Sequence, residues 1–364
     1  MTFSRYIALM LTLLIGVTWR LWFDTDGPIP AVPCVHFELP PQNAIGPAVF
    51  VAILAAWTNR RSGWIVAASA LTFCFIVDQA TLQPWAYQIA IYAALFAAAP
   101  HTLRYHRAIA ISLYLYSGLG KLDYQFAHTV GFDFLQTMTF GLVQHRTPLT
   151  TAAVLMLPIV ETTAAIGLCL AKTRRIAAAI ILVLHASLIA ILGPWSLDHS
   201  WGVLVWNGLL MGQTYLLFLR TDRTPAPVTP VAMPLPAILL TAVVILGPLG
   251  ERFGYWDHWL AWQLYAPHTS RVDAQVSATS VSKLGALEYF VDDDPDGDRW
   301  HSLDLSTASL NLRGVPLYPQ ARYQRELLRC IARKRGLGRG VRGVEKGPAD
   351  RWTGRRREEY FVAE

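Results

Sequence analysis

The sequence is poor in charge and in cysteine. Only 15% of its 364 residues are Asp, Glu, Lys or Arg, whereas 53% are hydrophobic, which is more apolar surface than one soluble core can bury. The four cysteines form no Cys-x-x-Cys pair and have no Cys/His ligand spacing, which argues against a local zinc or thioredoxin-type site. The composition therefore predicts an integral membrane protein, and we expect no metal.

Positive charge is scarce in most of the chain. The formal net charge is +6, but 13 of the 31 Lys and Arg lie between Arg322 and Arg357. A strongly basic protein would be a candidate for binding nucleic acid. Because the excess is confined to one C-terminal segment, we expect no nucleic-acid partner, and we expect the lipid bilayer to surround most of the chain.

Nine apolar segments have the composition of membrane-spanning helices. Crossing the hydrocarbon takes about 20 apolar helical residues, because backbone polar groups must be hydrogen-bonded without water. The predicted spans cover roughly residues 6–23, 44–58, 63–82, 86–99, 106–121, 150–171, 175–194, 203–219 and 232–249. The second, fourth and fifth are short and are expected to tilt or to lie partly in the interface. The predicted fold class is an all-α polytopic membrane helix bundle of about nine spans, residues 1–249.

The positive charges between these segments alternate, which predicts an orientation. Lys and Arg near helix ends remain on the cytoplasmic side of a membrane. One set of loops and ends contains ten of them: Arg5, Arg60, Arg61, Arg104, Arg107, Lys172, Arg174, Arg175, Arg220 and Arg223. The other set contains two, Lys121 and Arg146. The sequence therefore predicts a bacterial inner-membrane or plasma-membrane protein with a cytoplasmic amino terminus. Cys34 and Cys330 are then both outside, where their thiols can form a disulfide.

The composition changes at about residue 250. Strand-like stretches follow, among them "VDAQVSATS" and "WHSLDLSTASL", and "YPQARYQRELLRCIARKRG" has the pattern of a helix that ends at Gly336. Residues 250–335 are therefore predicted to form a small extracytoplasmic α+β domain. Residues 336–364 are basic and contain few apolar side chains, so a disordered tail is predicted there.

Five polar side chains within or at the ends of the predicted spans form the candidate site. An ionisable group at membrane depth costs about 2.5–3.5 kcal/mol on insertion scales, so each is a functional candidate. The candidate catalytic residues are Lys121, Asp78, Glu161, His185 and Asn207. Most of them are predicted toward the outer side, where a water-accessible cavity can open, while Glu161 and His185 are predicted near the middle of their spans.

Each candidate also has a structural interpretation. Lys121 can lay its stem along apolar surface with the ammonium in the interface. Glu161 and His185 can hydrogen-bond to each other or to backbone between helices. Asp78, which precedes "QATLQPW", can cap a helix end. As a base, Lys121 should face a cavity between the third, fifth and eighth spans, near Asp78 and Asn207; otherwise its ammonium should point out of the bundle.

The stretch "YLYSGLGKLDYQF", residues 114–126, resembles the membrane domain of vitamin K-dependent γ-carboxylases and of their bacterial HTTM relatives. In that family a helix ends in a glycine turn, followed by Lys-Leu-Asp or similar and an aromatic residue. "VETTAAIGLCLAKTRR" and "ILVLHASLIAILGPW" also resemble it. The resemblance implies that Lys121 is a base for a lipid-soluble hydroquinone, and Asp78, His185 or Glu161 can pass the proton onward.

The same features are equally similar to the DoxX and MauE group of small redox-associated membrane proteins. The carboxylases have an Asn-His pair before the lysine helix, but the comparable "DQATLQPWAYQ" has neither residue, and the extracytoplasmic part is at most about 115 residues. These departures argue against protein carboxylation. Three classes remain open: a membrane enzyme acting on a quinol-like or lipid substrate, a non-catalytic redox-associated or assembly protein, and a transporter, for which no inverted repeat is evident.

Overall fold

The computed structural model describes residues 1–24, 27–35, 42–100, 102–220, 234–294 and 297–363. Within these ranges the chain is mostly helical, with one small antiparallel sheet near its C-terminal end. The helices are α1 (Phe3–Val17), α2 (Trp19–Phe23), α3 (Ile45–Trp57), α4 (Arg61–Val77), α5 (Pro84–Ala98), α6 (Arg104–Gly120), α7 (Tyr124–His128), α8 (Val130–Met138), α9 (Pro148–Cys169), α10 (Arg174–Leu192), α11 (Trp201–Thr214), α12 (Leu235–Leu246), α13 (Leu305–Arg313) and α14 (Ala321–Arg335). Arg223 and the start of the ninth predicted span lie outside the described residues.

Four helical segments in the described ranges are long and apolar enough to cross a membrane. They are Pro148–Cys169, Arg174–Leu192, Trp201–Leu219 and Leu235–Phe253. The last two combine α11 with a π-helical turn and α12 with a 3₁₀ segment. These segments fit a membrane location. On length and composition the prediction of nine spans is therefore corrected to four, and the predicted orientation stays a prediction.

The other predicted spans are helical but short. The helices α1, α3, α4, α5 and α6 have 13 to 17 residues each. At 1.5 Å per residue, 17 residues rise about 25 Å, which is less than the roughly 30 Å of hydrocarbon. Moreover, α5 is buried on nearly all sides among its neighbours. Its apolar sequence is thus explained by burial inside the protein.

The helices that surround the candidate site pack in sequence around one another. Helix α6 packs against α9, α9 against α10, and α10 against α11. Helix α1 lies against α11, and α3 and α4 form an antiparallel pair. The C-terminal ends of α6 and α4 are therefore brought under the C-terminal domain, whose residues Arg313 and Arg351 contact them.

The C-terminal domain is a four-stranded antiparallel sheet covered by a helix. The strands are β1 (Arg271–Ser277), β2 (Trp300–Leu303), β3 (Val341–Lys346) and β4 (Glu358–Val362), and their order in the sheet is β2-β1-β3-β4. Helix α14 packs its apolar face on β1 and β3. It ends where Gly336 adopts a left-handed conformation at φ 61°, as glycine does after many helices.

The prediction of a disordered tail over residues 336–364 is wrong. Residues 341–346 and 358–362 are β3 and β4, half of the sheet. Val344, for example, pairs with Asp273 of β1 on one side and with Tyr360 on the other. The few apolar residues of this segment suffice because backbone pairing of β3 with β1, and of β4 with β3, supplies further stabilisation. The α+β domain therefore continues past residue 335, to the end of the described chain.

All four cysteines are free thiols. The Cys34 thiol lies 2.9 Å from the carbonyl oxygen of Phe75 and donates to it. The predicted disulfide between Cys34 and Cys330 is therefore not formed.

Candidate functional site

Lys121 is buried at the end of α6 and forms an ion pair. It follows Gly120, the last residue of the helix, and its side chain turns back into the bundle. Its Nζ donates to Ser117 Oγ at 2.9 Å and to Glu161 Oε2 at 2.7 Å. The Lys121 side chain is 10% exposed and that of Glu161 is 6% exposed. The ammonium thus faces the protein interior and does not reach out to an interface.

Two glycines explain how Lys121 and Glu161 meet. A Cβ on Gly118 would lie 2.3 Å from Thr162 Oγ1 and 3.0 Å from the Pro158 carbonyl oxygen, so only glycine lets α6 approach α9 this closely. A Cβ on Gly120 would lie 1.4 Å from Gln263 Oε1. The "SGLGK" turn therefore makes room for α9 on one side and for the segment around Gln263 on the other.

His185 and Asn207 form a second buried pair beside the first. Asn207 Nδ2 donates to the carbonyl of Val203 at 2.9 Å, which turns the amide oxygen toward His185. His185 Nδ1 lies 2.8 Å from that oxygen and must carry the proton that is shared. His185 Nε2 is then an acceptor, and it is buried without a hydrogen-bond partner among the described residues. The ring can accept a proton without first losing one.

A small cavity joins the two pairs. It has a volume of about 20 Å³, and its lining includes Ser117, Lys121, Glu161, His185 and Asn207. A cavity of this size has room for about one water molecule. Four of the five predicted site residues therefore share one enclosed space, and a single water there can connect His185 to the ion pair.

A larger apolar cavity lies on the other side of the ion pair, between α8, α9 and α10. Its volume is about 490 Å³, and Lys121 and Glu161 are the charged residues in its lining. The remaining lining is almost entirely aliphatic or aromatic, and includes exposed apolar residues of α9 and α10 such as Met156 and Val183. Because α9 and α10 are candidate spans, we call this the membrane-facing cavity.

Asp78 lies apart from the other four predicted residues. Its Oδ1 accepts from the backbone N–H of Ala80 at 3.0 Å and of Val32 at 3.2 Å, and its Oδ2 is 3.2 Å from Arg313 of the C-terminal domain. The lining residues of both cavities beside Lys121 do not include it. Asp78 is a helix cap and a docking point, and the cavity that holds Lys121 is built by α6, α9, α10 and α11, without α4.

A buried cluster next to Lys121 was not predicted from the sequence. Asp123 Oδ2 lies 2.6 Å from His268 Nδ1, and His268 Nε2 lies 3.4 Å from Glu251 Oε1. His258 Nδ1 lies 2.6 Å from the same Glu251 oxygen. Asp123 belongs to the quoted "GKLDY" motif. The other three residues lie in a stretch without helical or strand periodicity, so their local sequence did not indicate that they belong to a buried cluster.

The cluster resembles a zinc site in composition. The ligand atoms of Glu251, His258 and His268 all lie within 4.8 Å of one another. However, His258 Nε2 accepts the backbone N–H of Ser270 at 3.2 Å, so its proton is on Nδ1, which donates to Glu251. With both ring nitrogens occupied, His258 has no lone pair left for a metal. The arrangement is that of a hydrogen-bonded cluster.

His268 is the charged centre of this cluster. Burial alone would lower the pKa of His268, but the carboxylates of Asp123 and Glu251 outweigh burial and raise the pKa above its ordinary value. The imidazolium therefore ties Asp123, two residues after Lys121, to the segment that leads into the C-terminal domain.

The stability of the protein is expected to fall as the pH rises through the raised pKa of His268, because the imidazolium then loses its proton. Its folded-state pKa lies above the unfolded value of 6.5, so its stabilising effect is complete below 6.5 and disappears as pH rises through the folded-state pKa. His268→Gln should flatten the unfolding free energy measured from about pH 6 to about pH 9. His145→Gln, at an exposed histidine, is the control. An unchanged pH profile in His268→Gln would contradict this role.

The C-terminal domain also holds the lysine turn directly. Arg351 donates from Nη2 to the carbonyl of Leu119 at 3.0 Å and from Nε to that of Leu122 at 2.9 Å. The backbone N–H of Tyr124 in turn donates to the Arg351 carbonyl at 2.8 Å. One carbonyl near the end of α6 and one just after it therefore accept hydrogen bonds from the loop between β3 and β4, which the sequence analysis assigned to a disordered tail.

No protein-family model matches the chain, and no curated protein or solved structure does so either. The resemblance of the Lys121 motif to the γ-carboxylase and HTTM family, and equally to the DoxX and MauE group, therefore stays a prediction.

Proposed function

We propose that the protein binds a lipid-soluble hydroquinone in the membrane-facing cavity and removes one of its hydroxyl protons, with Lys121 as the base. The observation that carries this proposal is the buried Lys121–Glu161 pair at the inner end of an apolar cavity bounded by two candidate membrane spans. The resemblance of the motif around Lys121 to quinol-using carboxylases supports the same substrate class.

The shape of the site suits such a substrate. A volume of about 490 Å³ lies within the range of cavities that hold small organic ligands. The apolar walls favour a hydrocarbon-substituted ring, which can enter from the bilayer along α9 and α10. An ammonium has three N–H donors, and Ser117 and Glu161 accept two of those of Lys121. The third is left to meet a hydroxyl oxygen of the ligand.

The ion pair can move the proton. The 2.7 Å hydrogen bond gives the proton of Lys121 a direct path to Glu161. The neutral amine then takes a proton from the hydroquinone, QH₂, and leaves QH⁻ facing a lysine that is again cationic. His185, with its free Nε2 across the small cavity, can receive the proton from Glu161 through one water.

The test is hydroquinone oxidation by oxygen, because the anion is the form that oxygen oxidises. In this reaction QH⁻, O₂ and one proton give the quinone and H₂O₂. The protein in lipid nanodiscs should accelerate quinone formation from a short-chain alkyl hydroquinone above the rate in empty nanodiscs. Lys121→Arg keeps a cation beside Glu161 but cannot lose its proton. It should lower the protein-dependent rate by about 100-fold or more.

The matched control is Lys172→Arg, at an exposed lysine, which should keep the wild-type rate. Full activity in Lys121→Arg would remove the lysine base from the proposal. Failure of the wild-type protein to accelerate the reaction would remove the hydroquinone and make the non-catalytic, redox-associated class the better interpretation.

A further inference from the structure

A third cavity lies beside the candidate site, between the helices and the C-terminal domain. Its volume is about 250 Å³, and we call it the outer cavity. Residues of the bundle such as Trp206 line one side of it, and Val315 and Leu317 of the C-terminal domain line the other. Its lining contains no Asp, Glu, Lys or Arg among the described residues. The outer cavity is therefore neutral and lies under the water-facing domain.

Three residues line both the outer cavity and the small cavity that holds the ion pair, namely Trp206, Leu264 and Tyr265. Tyr265 lines the outer cavity, the small cavity and the membrane-facing cavity, and it is the one described residue found in both large linings. Its ring centroid lies 5.9 Å from that of Phe134 on α8 and 6.0 Å from that of His199 in the loop before α11. The ring therefore stands between two elements at the meeting point of all three spaces.

The backbone around Tyr265 adopts an uncommon conformation. Tyr265 has φ 55° and Trp262 has φ 59°, in the left-handed region that bulky residues rarely occupy. Such conformations persist only where the surrounding structure holds them. Here Trp262 is fully buried, with its ring 5.1 Å from that of Tyr87, and the backbone N–H of Gln263 donates to the His258 carbonyl. The contacts of this segment thus stabilise an otherwise unfavourable backbone conformation, and that conformation sets the position of the Tyr265 ring.

We propose that Tyr265 is the partition that closes the Lys121–Glu161 pair to the outer cavity while leaving it open to the membrane-facing cavity. The identity of the substrate as a hydroquinone rests on the proposed function above, but the partition itself does not. A site closed in this way receives its substrate through the apolar cavity and excludes charged, water-soluble molecules that reach the outer cavity. Tyr265 is on this account a specificity-determining residue.

The partition can be tested by thiol accessibility without any hydroquinone. Ser117→Cys places a thiol in the small cavity beside Lys121. A charged, membrane-impermeant thiol reagent is added to the protein in nanodiscs, and modification at position 117 is followed by peptide mass spectrometry. Modification should be about tenfold or more faster when Tyr265→Ala is added, because a thiol reacts only where the reagent can reach it. Tyr265→Phe keeps the ring and should leave the rate slow.

Burial raises the pKa of the Cys34 thiol to about 11, so Cys34 provides an internal control that should react slowly and at the same rate in every variant. An uncharged, lipid-soluble maleimide should modify position 117 at similar rates with and without Tyr265, which also shows that the variants are folded. If Tyr265→Ala is unstable, Tyr265→Leu replaces it. Equal rates with the charged reagent in all backgrounds would overturn the partition. Because no hydroquinone is used, that result would leave the proposed base function standing, and loss of oxidation in Lys121→Arg would say nothing about the partition.

Discussion

Glu161→Gln is expected to lower the free energy of unfolding by about 3–5 kcal/mol, because it leaves the Lys121 ammonium buried without an anion. Both side chains are at most 10% exposed and their charged atoms are 2.7 Å apart. Ser117 and the uncharged amide of Gln at position 161 then remain as polar partners of the ammonium, and neither supplies a negative charge. Reversible unfolding in mixed detergent micelles would measure the loss.

The control for Glu161→Gln is the same substitution at Glu288, which is exposed and should change stability little. Adding Lys121→Met to Glu161→Gln removes the unpaired cation, and the double variant should recover most of the lost stability. Two losses that simply add, with no recovery in the double variant, would show that the residues do not act as a pair.

Asp78→Ala is expected to be as destabilising, at about 3–5 kcal/mol, but for a reason unrelated to proton transfer. The substitution leaves Arg313, which is 8% exposed, without its carboxylate, and it removes the acceptor for two backbone N–H groups. Arg313 also donates to the carbonyls of Ile29 and Pro30, so this contact joins the N-terminal loop, α4 and the C-terminal domain. Unfolding of Asp78→Ala should therefore begin with release of the C-terminal domain, seen as faster limited proteolysis after residue 270.

Asp133→Ala, at an exposed aspartate on α8, is the matched control. The folded fraction of Asp78→Ala should oxidise hydroquinone at the wild-type rate. If folded Asp78→Ala had no activity, this result would support the role in proton transfer that the sequence analysis predicted for Asp78.

The parts of the fold that could be predicted are the helices, because local composition determines them. Each of the nine apolar segments is helical where the structure describes it, because a run of apolar side chains without Pro or Gly clusters favours helix whatever surrounds it. Their assignment as spans failed for a different reason. Apolar sequence alone cannot tell a helix buried by protein, such as α5, from one buried by lipid, and length had to decide.

The sequence singled out most of the polar residues of the candidate site, but it did not show which of them contact one another. Lys121, Glu161, His185 and Asn207 stood out as polar residues in apolar runs. Lys121 was expected to face a cavity near Asp78 and Asn207, and Asn207 does line its cavity while Asp78 does not, because side-chain volume decides which helices pack closely. Gly118 allows α6 to approach α9, and this places Glu161 next to the lysine.

The strands β3 and β4 could not be predicted from their own residues. β3 pairs with β1, which lies about 70 positions earlier, and β4 is ordered by pairing with β3; pairing at such a distance leaves little trace in local composition. The same is true of His268, whose meaning depends on Asp123 and Glu251.

The contact between Arg351 and the end of α6 has a consequence for biosynthesis. The donor and the Leu119 carbonyl that it satisfies are 232 positions apart in the chain. The lysine turn is therefore synthesised well before its anchor and acquires it only after Arg351 has been translated. A chain that stopped before Arg351 would contain Lys121, Glu161 and the helices that line the two adjoining cavities. It would lack the Arg351 hydrogen bonds that hold the turn around Lys121.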